Sequence, residues 1–291
     1  MELLLTGARG GSISTSSRRP RTQQPRAKKR FGQHFLTDTG ILNRIVDAAE
    51  LSVGETVLEI GSGRGSLTAV LAERGACVVA VEVDRDLVPL LRARFAEASG
   101  VAIIEADVLD ESPGELLARA GANAPYAVVA NLPYNIAAPV LRRLLEADVR
   151  PRRLVVMVQL EVAEAIVARP GTMGLLSVAT QVYGETKMIM KVAPGAFSPP
   201  PKVHSAVVRI DVAPAPRVDV PIDPFFRVVR AGFGNPRKQL RNSLSFGLHV
   251  KQEVIDGVMA AAGIDVVRRP QTLALDEWAA ITRAWLARPS Q

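Results

Sequence analysis

One cysteine and three histidines in 291 residues leave little material for redox or metal chemistry. The lone Cys77 excludes an intrachain disulfide and points to a reducing compartment. Inside the apolar run Ala76-Cys-Val-Val-Ala-Val81 it reads as a core residue rather than a reactive thiol. His34, His204 and His249 are too dispersed to make, with it, a zinc site of ordinary spacing, so no metal is expected. No window holds about 18 uncharged apolar residues, which argues against a membrane span. The opening Met1-Glu-Leu-Leu-Leu5 is too short for the apolar region of a signal peptide, and Arg9 soon follows. These absences favour a cytoplasmic protein. Internal repeats are absent too.

Acid is missing from two places. Residues 1–30 carry eight Arg and Lys against Glu2 alone, a net +7 that equals the excess of the whole chain. Between Pro224 and Glu253 there is no Asp or Glu, while Arg227, Arg230, Arg237, Lys238, Arg241 and Lys251 all occur. Two basic stretches at opposite ends can grip a phosphate backbone; a solubilising tail and an ordinary solvated helix face account for the same charges. Residues 1–27, rich in Ser, Thr, Gly, Pro and Arg without hydrophobic period, should be disordered. Their composition fits a basic RNA-binding tail or an organelle transit peptide; no amphipathic helix is legible in them, which favours the tail.

With 48% hydrophobic and 22% charged residues, the chain can bury the core of one large domain and a small one. Ile41, Leu42, Ile45, Val46 and Ala49 lie at helical spacing. Then strands alternate with helices. Strands are expected at Thr56–Ile60, Ala76–Val81, Val101–Ile104, Tyr126–Ala130 and Leu154–Val158. Helices are expected at Ser66–Arg74 (Ser66 as N-cap, Gly75 as stop), Arg85–Ala98, Ala138–Ala147 and Val162–Ala168. Segments around Ser177–Tyr183 and Ala206–Ile210 read as antiparallel strands closing the sheet edge. The pattern predicts an α/β, Rossmann-like, doubly wound sheet over residues 28–212. A proline-rich linker, 213–224, precedes a small all-α domain, 225–291, with helices at Phe225–Phe233, Lys238–Phe246, Glu253–Ala262 and Glu277–Leu286.

The strand ends carry the chemistry. Gly61-Ser-Gly63-Arg-Gly65 follows the first strand and opens a helix, where glycine lets backbone approach a ligand. Glu82 ends the second strand 21 positions after Gly61, placed to hold a ribose diol. To this point a nicotinamide dinucleotide fits as well. The G-x-G-x-G spacing and a third strand ending at Asp107, able to accept from an adenine amino group, favour a ligand without pyrophosphate. S-adenosylmethionine fits. The fourth strand ends in Asn131-Leu132-Pro133-Tyr134: an amide, a proline that leaves the preceding carbonyls free, and a ring. Such a set can accept from an exocyclic amine while the ring stacks on its base, although turn chemistry alone also explains Asn and Pro.

Five stretches in order then resemble the small-subunit ribosomal RNA adenine N6,N6-dimethyltransferase family. They are Arg30-Phe-Gly-Gln-His-Phe-Leu36, Glu59-Ile-Gly-Ser-Gly-Arg-Gly65, Asn131-Leu-Pro-Tyr-Asn135, Phe197-Ser-Pro-Pro-Pro-Lys-Val203 and Arg237-Lys-Gln-Leu-Arg-Asn-Ser-Leu244. The resemblance runs from about Lys28 to the C-terminus. It implies cofactor contacts at Gln33, His34, Leu36, Glu59, Gly61, Gly63, Glu82, Asp107, Val108 and Asn131, with His34 and Leu36 in a flap. It implies catalytic roles for Asn131, Leu132, Pro133, Tyr134 and Phe197, the two rings sandwiching adenine. RNA contacts are implied at Arg30, Lys202, Arg237, Lys238 and Arg241. Relatives often carry Asn where this chain has His34, and Arg where it has Pro236.

The implied reaction dimethylates two adjacent adenosines near the 3′ end of small-subunit rRNA, on a monomeric enzyme that meets the assembling subunit. Acceptance of the two N6 hydrogens by the Asn131 side chain and the Leu132 carbonyl would aim the lone pair at the sulfonium methyl, without a dedicated base. Against this stand a large-subunit adenine methyltransferase of the macrolide-resistance type, whose motif usually reads Asn-Ile-Pro-Tyr, and a non-catalytic assembly or transcription factor of the same fold. A dehydrogenase fits least.

Overall fold

The computed structural model describes residues 33–288; the basic N-terminal segment, Arg30 included, lies outside the described residues. The chain enters through a two-residue strand, β1 (Phe35–Leu36). Helix α1 (Thr39–Ala49) follows, started by Asp38, whose side chain accepts from the Ile41 N–H at 3.0 Å. It buries Leu42, Ile45, Val46 and Ala49, the stripe its spacing dictates. Then come β2 (Thr56–Ile60), α2 (Ser66–Glu73), β3 (Cys77–Glu82), α3 (Val88–Arg94), β4 (Val101–Glu105) and α4 (Pro113–Arg119). The last of these has no counterpart in the sequence reading. Only seven residues long, it carries its signal in a reciprocal cap between Ser112 and Glu115 rather than in periodicity.

Next are β5 (Tyr126–Asn131), α5 (Ala137–Glu146), β6 (Arg153–Gln159), α6 (Leu160–Val167), α7 (Leu175–Gln181), β7 (Gly184–Val192), β8 (Phe197–Ser198) and β9 (Ser205–Val212). Four helices close the chain: α8 (Ile222–Phe233), α9 (Leu240–Leu248), α10 (Gln252–Ala262) and α11 (Leu275–Ala287).

The main sheet has the order β4-β3-β2-β5-β6-β9-β7. Its first five strands are parallel; β9 runs antiparallel to both β6 and β7. From β2 the chain winds outward through β3 to β4, then returns to β5 on the other side of β2. Strand order reverses there, so the carboxyl ends of β2 and β5 flank a crevice.

Alternation along the strands builds two cores. Leu58, Val79, Val128 and Val156 face one way and Val57, Val78, Val129 and Val155 the other. The second set packs on α1 and α2. The first is continuous through α5 and α7 with Phe225, Leu244, Met259 and Trp278 of the closing helices, so the sheet and the helical region share one apolar cluster.

Three expectations fail. The segment 177–183, read as a strand, is mostly α7. Its Val-Ala-Thr-Gln-Val alternation misleads because its polar members are buried and satisfied. Thr180 Oγ1 donates to Leu176 O at 2.8 Å, and Gln181 Nε2 donates to the Ile166 and Ala168 carbonyls at 2.9 and 2.8 Å. Strand β7 takes the sheet edge instead. Cys77 is exposed, not core: it sits at the first position of β3, where the chain enters from the Gly75 turn. Finally, the cap of α2 is Gly65 in the left-handed conformation, with Ser66 already inside the helix.

Candidate functional site

The crevice at the strand ends is a cavity of about 180 Å³. Gly61 and Gly63 turn the chain away from β2 with φ of 72° and 58°, a region where side chains are strained. Gly61 N–H donates to Val81 O at 2.9 Å, binding the turn to β3. Gly63 N–H donates to Glu82 Oε2 at 2.7 Å, and Asp84 N–H to Glu82 Oε1 at 2.9 Å. These two bonds fix the Glu82 carboxylate at the cavity wall. Burial nevertheless pushes its pKa above the usual carboxylate range, with the two N–H donors opposing the shift.

Glu59 behaves differently. It is 1% exposed, accepts from Thr68 Oγ1 at 2.6 Å and does not reach the cavity. Burial first, and then the charge of Glu82, push its pKa up to about 8. A neutral carboxyl therefore ties β2 to Thr68 of α2 at pH 7. Asp107 and Val108 follow β4 and line the opposite wall; Asp107 Oδ1 accepts from Leu109 N–H at 2.9 Å.

The N-terminal segment covers the mouth. Gln33 Nε2 donates to the buried Asp84 Oδ2 at 2.9 Å. His34 Nδ1 donates to Pro199 O at 2.9 Å, and Asn131 Nδ2 donates to His34 O at 3.2 Å. With Nδ2 so engaged, Oδ1 is the Asn131 atom able to accept from a ligand amine. Pairing of β1 with β8, Phe35 opposite Ser198 and Leu36 opposite Phe197, stitches this segment to the loop before β9.

Strand alternation decides which side chains reach the cavity. Phe35 lines it, under the Arg64 guanidinium at 4.3 Å from the ring centroid. Leu36 and Phe197, each 4% exposed, turn into the core with Leu42 and Ile45. The ring facing Tyr134 is accordingly not Phe197. It is His34, with centroids 5.6 Å apart and planes at 25°. Tyr134 shares a 2.6 Å hydrogen bond with Ser205 Oγ, which orients its ring, and burial raises its pKa. Leu132 is buried but borders the cavity with Pro133, and its N–H donates to Met157 O at 3.1 Å.

The remaining candidates lie elsewhere. Lys202, Arg237 and Lys238 are exposed. Arg241 is held by Asp256 through two bonds of 2.6 and 2.5 Å. Sequence reasoning missed Phe35, Asp84 and Ser205; only Phe35 sat inside a recognised stretch. A larger groove of about 960 Å³ runs along α5 toward Phe226 and Arg230. Neither the glycine turn nor a strand-end carboxylate reaches it, so it lacks the donor-site chemistry.

Among the described residues no Lys or Arg lines the smaller cavity, while Glu82 and Asp107 do. A pyrophosphate would face those two carboxyl groups; a hydroxylated, positively charged ligand suits them. Among the described residues no His, Cys, Asp and Glu group could hold a metal, and no helix is long and apolar enough to cross a membrane.

Residues 24–288 match the family described as ribosomal RNA adenine dimethylase. A relative from Geobacter sulfurreducens named ribosomal RNA small subunit methyltransferase A is 47% identical over 266 residues, covering 90% of this chain and 96% of its own. One of the same name from Dehalococcoides mccartyi is 44% identical over 265 residues, covering 91% and 90%. Among solved structures, a dimethyladenosine transferase from Plasmodium falciparum superposes with a TM-score of 0.71 at 21% identity, covering 85% of this chain and 96% of that one. The 23S rRNA methyltransferase ErmE gives 0.68 at 26%, covering 86% and 98%.

Proposed function

This chain belongs to the ribosomal RNA adenine dimethylase family, and from that premise we propose that it transfers methyl groups from S-adenosylmethionine to N6 of two adjacent adenosines near the 3′ end of small-subunit rRNA. The observation that carries the reading is the meeting of Glu82, Asp107 and Asn131–Tyr134 around one cavity with no Lys or Arg in its described lining. The cofactor, when bound, supplies an electrophilic methyl on a sulfonium.

Every other step belongs to the protein. Glu82, aimed by the Gly63 and Asp84 N–H groups, accepts from the ribose hydroxyls. Asp107 accepts from the cofactor's adenine amino group, with Val108 against the ring. Gln33, His34 and Phe35 cover the mouth and exclude water. Asn131 Oδ1 and the Leu132 carbonyl accept the two N6 hydrogens of the target, which localises the nitrogen lone pair. Tyr134, held by Ser205, supplies a stacking face worth roughly 1–3 kcal/mol. No side chain is required as a strong base; orientation and charge do the work. The basic N-terminal segment with Arg30, and Lys202, Arg237 and Lys238, would hold the RNA backbone. We place the enzyme in the cytoplasm as a monomer acting on the assembling subunit.

Tritium transfer from labelled S-adenosylmethionine to unmethylated small subunits, with large subunits in parallel, tests the reading. Label in N6,N6-dimethyladenosine from small subunits alone is expected. Label confined to the large subunit would replace the substrate, and binding without label in either would remove the reaction.

A further inference from the structure

We infer that Phe246 is a nucleobase-stacking contact for the RNA substrate, set in a phosphate-binding ridge of the C-terminal helices; this rests on the rRNA reading above. Helix α9 buries Leu240, Ser243, Leu244 and Leu248, and Phe246 falls on its other side. At 72% exposure it is the one aromatic among the exposed large hydrophobics of the described residues. The helix cannot roll to bury it. Gly247 abuts α8 so closely that an added Cβ would lie 2.6 Å from the Ala231 Cα, and Arg241 is pinned to Asp256. The ring is therefore presented outward by a fixed backbone.

Its surroundings specify a polyanion. Asn242 lies one turn earlier on the same side, and Gln252 Nε2 donates to Asn242 Oδ1 at 2.9 Å, with the exposed Lys251 next to Gln252 in the chain. Exposed Arg237, Lys238 and Gln239 lead into α9. No Asp or Glu occurs between Pro224 and Glu253, and of the six cations in that stretch Arg241 alone forms an ion pair among the described residues, with Asp256. A single exposed ring on a helix preceded by Arg237 and Lys238 offers too little apolar area for a protein partner or a lipid surface. It does fit a base flanked by phosphates. Paired bases of an RNA helix present no open face, so the occupant is an unpaired nucleotide of the substrate.

Binding of unmethylated small subunits is the test, with Phe246→Ala, Phe246→Leu and Phe246→Trp beside the wild type. Losing one stack should weaken binding, and raise KM, by roughly 5- to 150-fold (about 1–3 kcal/mol). At saturation kcat should hold, as should S-adenosylmethionine affinity and the thermal midpoint. Phe246→Trp should bind as the wild type does, and Phe246→Leu as Phe246→Ala does.

If Phe246→Ala binds within about two-fold of wild type while the Arg237→Ala/Lys238→Ala pair binds weakly, stacking is wrong and the rRNA reading stands. Full affinity in Phe246→Leu also overturns stacking. So does concentration-dependent self-association that Phe246→Ala abolishes without changing RNA affinity, since the surface would then belong to a second copy. If the wild type neither binds nor methylates rRNA, the functional reading fails and the inference falls with it.

Discussion

Replacing Glu59 by Gln should flatten the dependence of stability on pH between about 5 and 8. In the folded protein the Glu59 carboxyl is pushed up from 4.5 to about 8, chiefly by burial. Over that window the folded state keeps the proton and the unfolded state releases it, so stability falls as pH rises. Each unit of pH costs about 1.4 kcal/mol, giving an upper bound of about 3 kcal/mol at pH 7 and about 5 above pH 8. The contribution is fully present below pH 4.5 and lost through pH 8. A Gln side chain of the same shape can still bond Thr68 but has no proton to lose. At about 2–4 °C per kcal/mol for a chain approaching this size, the thermal midpoints should diverge by several degrees between pH 5 and 8. Glu82, also raised, imposes a decline of the same sign on both proteins, so the difference isolates Glu59. Circular dichroism melts at pH 5, 6, 7 and 8 suffice. Parallel curves for the two proteins would show that Glu59 is already ionised, and the account of a neutral buried carboxyl bonded to Thr68 would be refuted.

Substitutions at three further positions separate site from scaffold. Tyr134→Ala should keep S-adenosylmethionine affinity and lose at least about ten-fold in kcat/KM, while Tyr134→Phe, lacking only the bond to Ser205, should cost about 1 kcal/mol of stability and keep most activity; calorimetry and single-turnover transfer distinguish them, and equal rates in both would remove the stacking role. Phe197→Ala should destabilise the fold by about 3–5 kcal/mol, because the ring is core; a variant with unchanged urea midpoint and no transfer would return Phe197 to the acceptor site. His34→Asn should lower KM for rRNA by about two- to ten-fold, since the His34 ring no longer covers Tyr134; an unchanged or higher KM would show that the stack does not compete with the acceptor base.

The parallel part of the sheet was legible because buried strands and glycine-bounded helices leave strong local signals; Glu82 and Asn131 each end such a strand, and Asp107 lies two residues past one. The edge was not. Segment 177–183 alternates like a strand, yet its polar residues are satisfied by carbonyls of α6 and α7 that no local pattern announces. Which side chains of Phe35, Leu36 and Phe197 face the cavity depends on a two-residue pairing between segments 161 residues apart, Leu36 with Phe197. Register set by so distant a partner carries no periodicity, and the stacking role given to Phe197 rested on its stretch rather than its facing. Asp84 was invisible for a similar reason: its meaning lies in Gln33, reached only after folding.

Two methyl groups on one nitrogen need two donors in succession, and Gln33 and His34 line the cavity proposed to hold each of them. That segment cannot lift while β1 stays paired with β8 and the Thr37 N–H stays bonded to Ala196 O. A donor exchange that displaced this segment would also move the His34 ring off Tyr134. Escape of a half-modified adenosine would then depend on how fast β1 and β8 pair again relative to RNA departure, which the proposed grip of the last helices would slow.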